Sequence, residues 1–188
     1  RLQELGQAQW FRGQVQNWPK LTPGLHRPNV DFTRAEKATH RFAHWVKSTP
    51  GLEEIAASTD AMLAVAQHYG MPTPFLDFTI DPQVAGYFAS VTPNPPASGT
   101  ESCLYCLNIK EADEIWGVRP GIDPECLVLD VPNLWRLEAQ SGVFIWCQYD
   151  DLNAPFPLDR IVFPYQGAVP APTDAEIYPK QESPIESR

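Results

Sequence analysis

Gln67–Ala89 reads QHYGMPTPFLDFTIDPQVAGYFA, and its hydrophobic period changes twice along the way. Just upstream, Met62, Val65, Ala66 and Tyr69 recur at helical spacing, which predicts a helix over about Thr59–Tyr69. Gly70 is the natural residue after its end, and Pro72 stops its continuation. Phe75–Thr79, FLDFT, is a short apolar strand or turn. Asp81-Pro82 then supplies an N-cap and a first-turn proline for a helix over Pro82–Ser90, with Val84 and Phe88 one above the other.

Reading outward, Gln9–Gly13 forms a short first strand, and Thr33–Lys47 reads as a helix. Ala35, Ala38, Phe42, Trp45 and Val46 fall on one of its faces, and Thr33 with Glu36 match a capping box. Beyond the proline-rich loop Thr92–Thr100, strands are predicted at Ser102–Ile109, Cys126–Val131, Gly142–Tyr149 and Arg160–Phe163. Short helical turns fill Glu111–Trp116 and Asn133–Glu138. Helices first and strands later give an α+β class. From about residue 166 the chain is a proline-rich tail, expected to wrap the surface or fray.

The 188 residues make one domain's worth of chain, and 43% hydrophobic content supports a real core. Typical proline usage of ~5% would give roughly 9 prolines. The chain has 20, which predicts short elements and ordered loops. No apolar run reaches the roughly 18 residues of a membrane span. RLQELGQAQW lacks a signal-peptide core, and the four cysteines read as buried thiols, so a cytoplasmic setting is expected. The net charge of −9 argues against non-specific nucleic-acid binding, which needs basic residues at phosphates.

Candidate chemistry is sparse. His40 and His44 have zinc-like spacing but lie opposite the apolar face, as a solvated helix surface would. Cys103 and Cys106 form a CxxC inside a strand-like run, without two further well-spaced ligands, so no metal is expected. No G-x-S-x-G, phosphate-binding loop or G-x-G-x-x-G occurs. Asp77 and Thr79 sit in an apolar setting, where a carboxylate needs a partner such as Arg12, although Asx bonding within its own loop explains it equally well. Gln67 and His68 end their helix off its apolar face, where a helix dipole favours a cationic His and where both side chains could also line a cleft. Arg136, Glu138 and Gln140 precede an apolar strand, as a helix end or as groups converging at its mouth.

These pieces resemble, in order, the FRG domain family. Its name-giving motif is Phe11-Arg12-Gly13, followed by Gln14. Leu21–Arg27, Gln67–Ala89, Arg136…Gln140-Ser141-Gly142, Arg160–Pro164 and Ile177-Tyr178-Pro179 are similar to further family segments. The family's arginine in P-T-R is Pro74 here, which removes any phosphate contact made from that position, and its tryptophan is Phe78. The arrangement also resembles, more weakly, ADP-ribosyltransferase-like folds, through Leu76–Thr79 and Ala85–Ala89.

That resemblance implies a single domain over residues 1–188, with N-terminal helices packed on a mostly antiparallel split sheet. It implies an NAD-consuming or ADP-ribosyl-transferring domain, of the bacterial toxin or anti-phage effector kind, with NAD as substrate and an unknown macromolecular acceptor. Arg12, Gly13, Arg27, Gln67, His68, Thr79 and Gln140 are then the nucleotide-binding residues. The candidate acids are Asp77, Glu138 and Glu36, since such transferases want a carboxylate near the ribose and no clear late-strand glutamate is present. That absence keeps a rival open, a non-catalytic nucleotide-sensing or interaction module with a degenerate NAD-type cleft. A third reading makes Arg12 and Asp77 a buried structural pair, whose one-sided removal costs roughly 3–5 kcal/mol.

Overall fold

The computed structural model describes residues 10–116, 125–129, 131, 134–148, 150–152, 158–167 and 172–179. Strand β1 (Trp10–Gln14) is followed by a 3-10 turn (Gly24–His26), helices α1 (Phe32–Ser48), α2 (Glu53–Ala56) and α3 (Thr59–His68), strand β2 (Phe75–Thr79) and helix α4 (Pro82–Ser90). Then come β3 (Glu101–Leu107), α5 (Ile109–Trp116), β4 (Glu125–Leu127), α6 (Trp135–Ala139), β5 (Gly142–Trp146), β6 (Leu158–Pro164) and α7 (Asp174–Ile177). The strands form one sheet in the order β4-β5-β2-β1-β3-β6, and each described pair is antiparallel. The α+β class follows. The helices-first reading needs one correction: the two earliest strands form the middle of the sheet.

FLDFT is the strand β2, and its composition explains its place. Leu76 and Phe78 face one core with Trp10, Leu21, Tyr105, Val143 and Ile145. Phe75, on the alternate face, packs against Val65 and Phe144 under α3. A strand buried on both faces reads as an apolar run, and Asp77 is its one exposed residue.

The sheet opens between its two central strands. β1 meets β3 in five register pairs, from Trp10↔Leu107 to Gln14↔Cys103, whereas β1 meets β2 only at Phe11↔Thr79. Past that pair the strands part. Arg12 Nη1 donates to Asp77 O at 2.6 Å, so a side chain supplies the donor that the β1 backbone no longer brings. Helices cover the same face on either side of the opening: α3 lies over β2, and α4 lies over β1 and β3. Gly13 makes the second contact possible. A Cβ there would stand 1.8 Å from Ala85 O and 2.7 Å from Ala89 N, so the α4 backbone rests directly on the glycine.

Several local expectations change. α1 starts at Phe32 with Asp31 as N-cap, its carboxylate accepting from Arg34 N at 3.0 Å, so the Thr33–Glu36 box does not form. α1 packs on α2 and α3 as an outer layer, so of the first three helices it is α3 that rests on the sheet. Trp45 and Tyr69 are exposed, not inward. β3 ends at Leu107 because Asn108 caps α5, its side chain accepting from Lys110 N at 3.1 Å. β4 stops at Leu127, and β5 stops at Trp146. Gln9 and Tyr149 lie outside the described residues. The tail is neither loose nor merely superficial at 172–179: Ile177 is buried with Val84 and Tyr87, and Tyr87 Oη donates to Asp174 Oδ1 at 2.7 Å.

Leu21 anchors the loop after β1. It is fully buried, its N–H donates to Asp151 Oδ1 at 3.1 Å, and its carbonyl accepts from Leu152 N at 2.9 Å. Cys103 and Cys106 fall on opposite faces of β3, one in each core, which prevents them from sharing an ion. Burial raises both thiols, Cys106 to about 11 with Asp159 adding to the shift. Among the described residues no group of His, Cys, Asp and Glu could hold a metal.

Candidate functional site

The opening between β1 and β2 continues into a cleft of about 430 Å³, within the usual size of ligand pockets, about 300–1,000 Å³. β1 and its following loop contribute Arg12, Gln14 and Trp18. β2 contributes Asp77 and Thr79, the end of α3 Gln67 and His68, and α4 Val84 and Phe88. α6 and the turn after it contribute Arg136 and Gln140, and Tyr178 follows α7. The site therefore lies where two helix-covered halves of the sheet separate, with groups from six segments converging on it.

Arg12 is the buried cation of this cleft, its side chain only 15% exposed. Burial lowers the guanidinium's pKa from its ordinary value, Asp77 opposes that shift, and the charge of Arg27 adds to it. Arginine stays charged even so. Nη1 is committed to Asp77 O, while Nε is buried without a hydrogen-bond partner. A buried donor left open costs roughly 1–3 kcal/mol, so the site favours an acceptor at that place.

The Asp77 carboxylate has a different setting from its backbone. Its side chain is 60% exposed, and Oδ2 lies 3.9 Å from Arg12 Nη1, beyond a direct hydrogen bond. Gln67 Nε2 donates to Oδ1, Thr73 Oγ1 donates to Gln67 Oε1, and Phe75 N donates to Thr73 Oγ1 at 3.2 Å. Thr79 is tied down as well, donating to Gln140 O at 2.7 Å and accepting from Asp81 N at 3.0 Å. Gln140 Nε2 donates to Ile177 O at 3.4 Å, which fastens the α7 segment beside the cleft. Ser141 takes a left-handed backbone at φ 46°, a conformation uncommon for a non-glycine residue, and turns the chain from α6 into β5. Arg136 lies 6.0 Å from the centroid of the Tyr178 ring.

Of the residues singled out from sequence, Arg12, Gly13, Gln67, His68, Asp77, Thr79 and Gln140 line the cleft, and Arg27, Glu36 and Glu138 do not. Glu36 is an exposed residue of α1. Glu138 is exposed on α6 because residues two apart on a helix point nearly opposite ways, whereas Arg136 and Gln140, four apart, share the cleft face. Arg27 is exposed and acts on Arg12 only through its charge. Gly13 borders the cleft, but its missing side chain is required by α4. Trp18, Phe88 and Tyr178 were not anticipated. The (i, i+4) pair Val84 and Phe88 and the segment Ile177-Tyr178-Pro179 were the available signals. Thr73 carried no signal, because its role depends on a contact with Gln67. Pro74 does not line the cleft.

The family model of the FRG domain matches residues 7–98. Over this stretch the chain is similar to the FRG domain family. No curated protein and no solved structure matches the chain. The matched FRG residues include β1 through α4, and so Arg12, Gln67, Thr73, Asp77 and Thr79. Arg136, Gln140 and Tyr178 complete the cleft from beyond the matched stretch.

Proposed function

We propose that the cleft binds a nucleotide, NAD or a related ADP-ribosyl compound, with Arg12 holding an acceptor group of the ligand. The observation that carries this reading is the buried Arg12 guanidinium, whose Nε–H has no hydrogen-bond partner and which borders a cleft of ligand size. Arg136 adds a second cation, and Trp18, Phe88 and Tyr178 add aromatic surface for a base. In a chain of net charge −9 the cleft sets two arginines against the carboxylate of Asp77, a local excess of positive charge among its described lining residues. The choice of an ADP-ribosyl nucleotide rests on the sequence resemblance of Leu76–Thr79 and Ala85–Ala89 to ADP-ribosyltransferase-like segments.

Binding without chemistry is the form the contacts favour, because Gln67 and Thr79 are already hydrogen-bonded and no glutamate borders the cleft among the described residues. One observation supports the catalytic rival: among the described residues Asp77 is the only carboxylate lining the cleft, and its side chain is 60% exposed. In that rival the nicotinamide–ribose C–N bond breaks with its electron pair leaving on nicotinamide. Water or an acceptor nucleophile adds to the ribose carbon and loses a proton, while Asp77 stabilises the oxocarbenium-like charge.

Purified protein titrated with NAD and ADP-ribose separates these. Thermal stabilisation by both, without nicotinamide release, supports binding. Nicotinamide release that is lost in a folded Asp77→Asn variant supports the enzyme. Neither effect at millimolar ligand refutes the nucleotide reading.

A further inference from the structure

The polar chain behind Asp77 has a fixed direction. Phe75 N–H occupies the oxygen of Thr73, so the Thr73 hydroxyl proton must point outward, and it points to Gln67 Oε1. The Gln67 amide then has one orientation, with its NH₂ toward Asp77 Oδ1. The flipped amide would set an oxygen against a carboxylate oxygen and leave Thr73 facing a donor. Thr73 is buried, so water does not offer it another partner. The outcome is an Asp77 carboxylate held by one oxygen, with Oδ2 turned to the side of Arg12 at 3.9 Å.

Oδ2 is an acceptor 3.9 Å from Arg12 Nη1, and the Nε–H of the same guanidinium is a donor with no hydrogen-bond partner. A hydroxyl matches that pair, since it donates to the carboxylate and accepts from the guanidinium. A phosphate does not match it, because its oxygens would meet the carboxylate. We infer that Thr73, through Gln67, is a positioning residue that sets Asp77 beside Arg12 as a hydroxyl-selecting pair, so that the site takes the ribose of its ligand and leaves the phosphates to the Arg136 end. This inference rests on the nucleotide reading above and adds which part of the ligand lies where.

The test uses ADP-ribose and its analogues lacking the 2′ or 3′ hydroxyl of either ribose, with dissociation constants from calorimetry. Wild-type protein is expected to bind ADP-ribose at least about tenfold more tightly than one of those analogues, the size of one hydrogen bond to a charged group. That ratio is expected to fall to about one in Asp77→Asn and in Thr73→Val, and to return in Thr73→Ser, which restores the hydroxyl. Arg136→Gln is expected to weaken ADP-ribose and the analogues by a similar factor and keep the ratio. A merely structural Thr73 would change stability and not the ratio. Equal affinity of wild type for ADP-ribose and every analogue overturns the inference and leaves the nucleotide reading standing. A ratio unaltered in folded Thr73→Val overturns the role of Thr73. No binding of ADP-ribose overturns both.

Discussion

Gly13→Ala tests whether the glycine of the Phe-Arg-Gly motif serves the ligand or the fold. Its added Cβ would lie 1.8 Å from Ala85 O, and real contacts of this kind do not fall below 3.0 Å, so α4 must retreat by about 1.2 Å. The obstacle is helix backbone and cannot rotate away. α4 is also fixed at its start by the Asp81 cap on Gln83 N and by Pro82, and on its far side by Tyr87 with Ile177. A gap of 0.5–1 Å already forfeits about a quarter to a half of each dispersion contact. Phe11, Ala85 and Cys106 form the core beneath the helix and would lose theirs together. Overpacking typically costs about 1–3 kcal/mol and here falls at or above the upper end, roughly 3 kcal/mol. Urea unfolding followed by tryptophan fluorescence measures it, as a lowered midpoint with an unchanged slope. Gly86→Ala is the control: it lies on the same helix with nothing within 4 Å, and is expected to gain about 0.5–1 kcal/mol. A Gly13→Ala protein within about 1 kcal/mol of wild type would falsify the packing account and return Gly13 to the ligand.

Asp31→Ala should cost about 1 kcal/mol through the lost cap of α1, while Thr33→Ala should leave urea stability nearly unchanged; the reverse order would restore the capping box. Tyr87→Phe should cost about 1 kcal/mol by the same measurement and weaken ADP-ribose binding, because its bond to Asp174 holds the segment bearing Tyr178 at the cleft; intact affinity would detach that segment from the site. The Cys106 thiol is raised to about 11, so its contribution to stability is complete below about pH 8.5 and is lost as pH climbs through about 11. A thiol reagent at pH 8 should therefore label Cys106 slowly in native protein and rapidly in urea, and equal rates would contradict its burial. Arg12→Gln should destabilise by roughly 1.5–3 kcal/mol, whereas Asp77→Asn should change stability by less than about 1 kcal/mol.

The elements were legible where one local force dominated. Asp81-Pro82 sets the start of α4, and the apolar run Phe75–Thr79 becomes the doubly covered strand at the centre of the sheet. Termini moved where two caps competed within a few residues, as at Asp31 against Thr33, or where a polar residue claimed the next helix, as at Asn108. Much of the cleft was legible as well, because Arg12, Gln67 and Asp77 each put a polar group into an apolar context. Three kinds of information were not. The facing of Glu138 depends on a single turn of α6, and a helix that short has too little sequence to show its period. The docking of Tyr178 depends on a buried Ile177 that a proline-rich composition conceals. The requirement for Gly13 depends on how near another element comes, which no local pattern encodes.

Arg12 binds the fold through one edge of its guanidinium and, in the proposal above, would meet the ligand through another, so the structural and the ligand readings make different demands on Asp77. Its bond of 2.6 Å runs to the backbone oxygen of Asp77, so the closure of the split sheet needs an arginine at 12 but no carboxylate at 77. The expectation of a buried Arg12–Asp77 pair holds in part: the ion pair forms at 3.9 Å, but its carboxylate is 60% exposed and takes its hydrogen bond from Gln67. Replacing Arg12 removes structure and ligand contact at once and cannot distinguish them. Replacing Asp77 by asparagine leaves the backbone bond in place, keeps an acceptor for Gln67, and exchanges the charged acceptor that faces the cleft for an uncharged donor. If Asp77→Asn unfolds the protein as readily as Arg12→Gln, the carboxylate belongs to the fold. If the protein stays folded and loses its preference for hydroxyl-bearing ligands, the carboxylate belongs to the site, and the strand FLDFT carries its one exposed residue for binding.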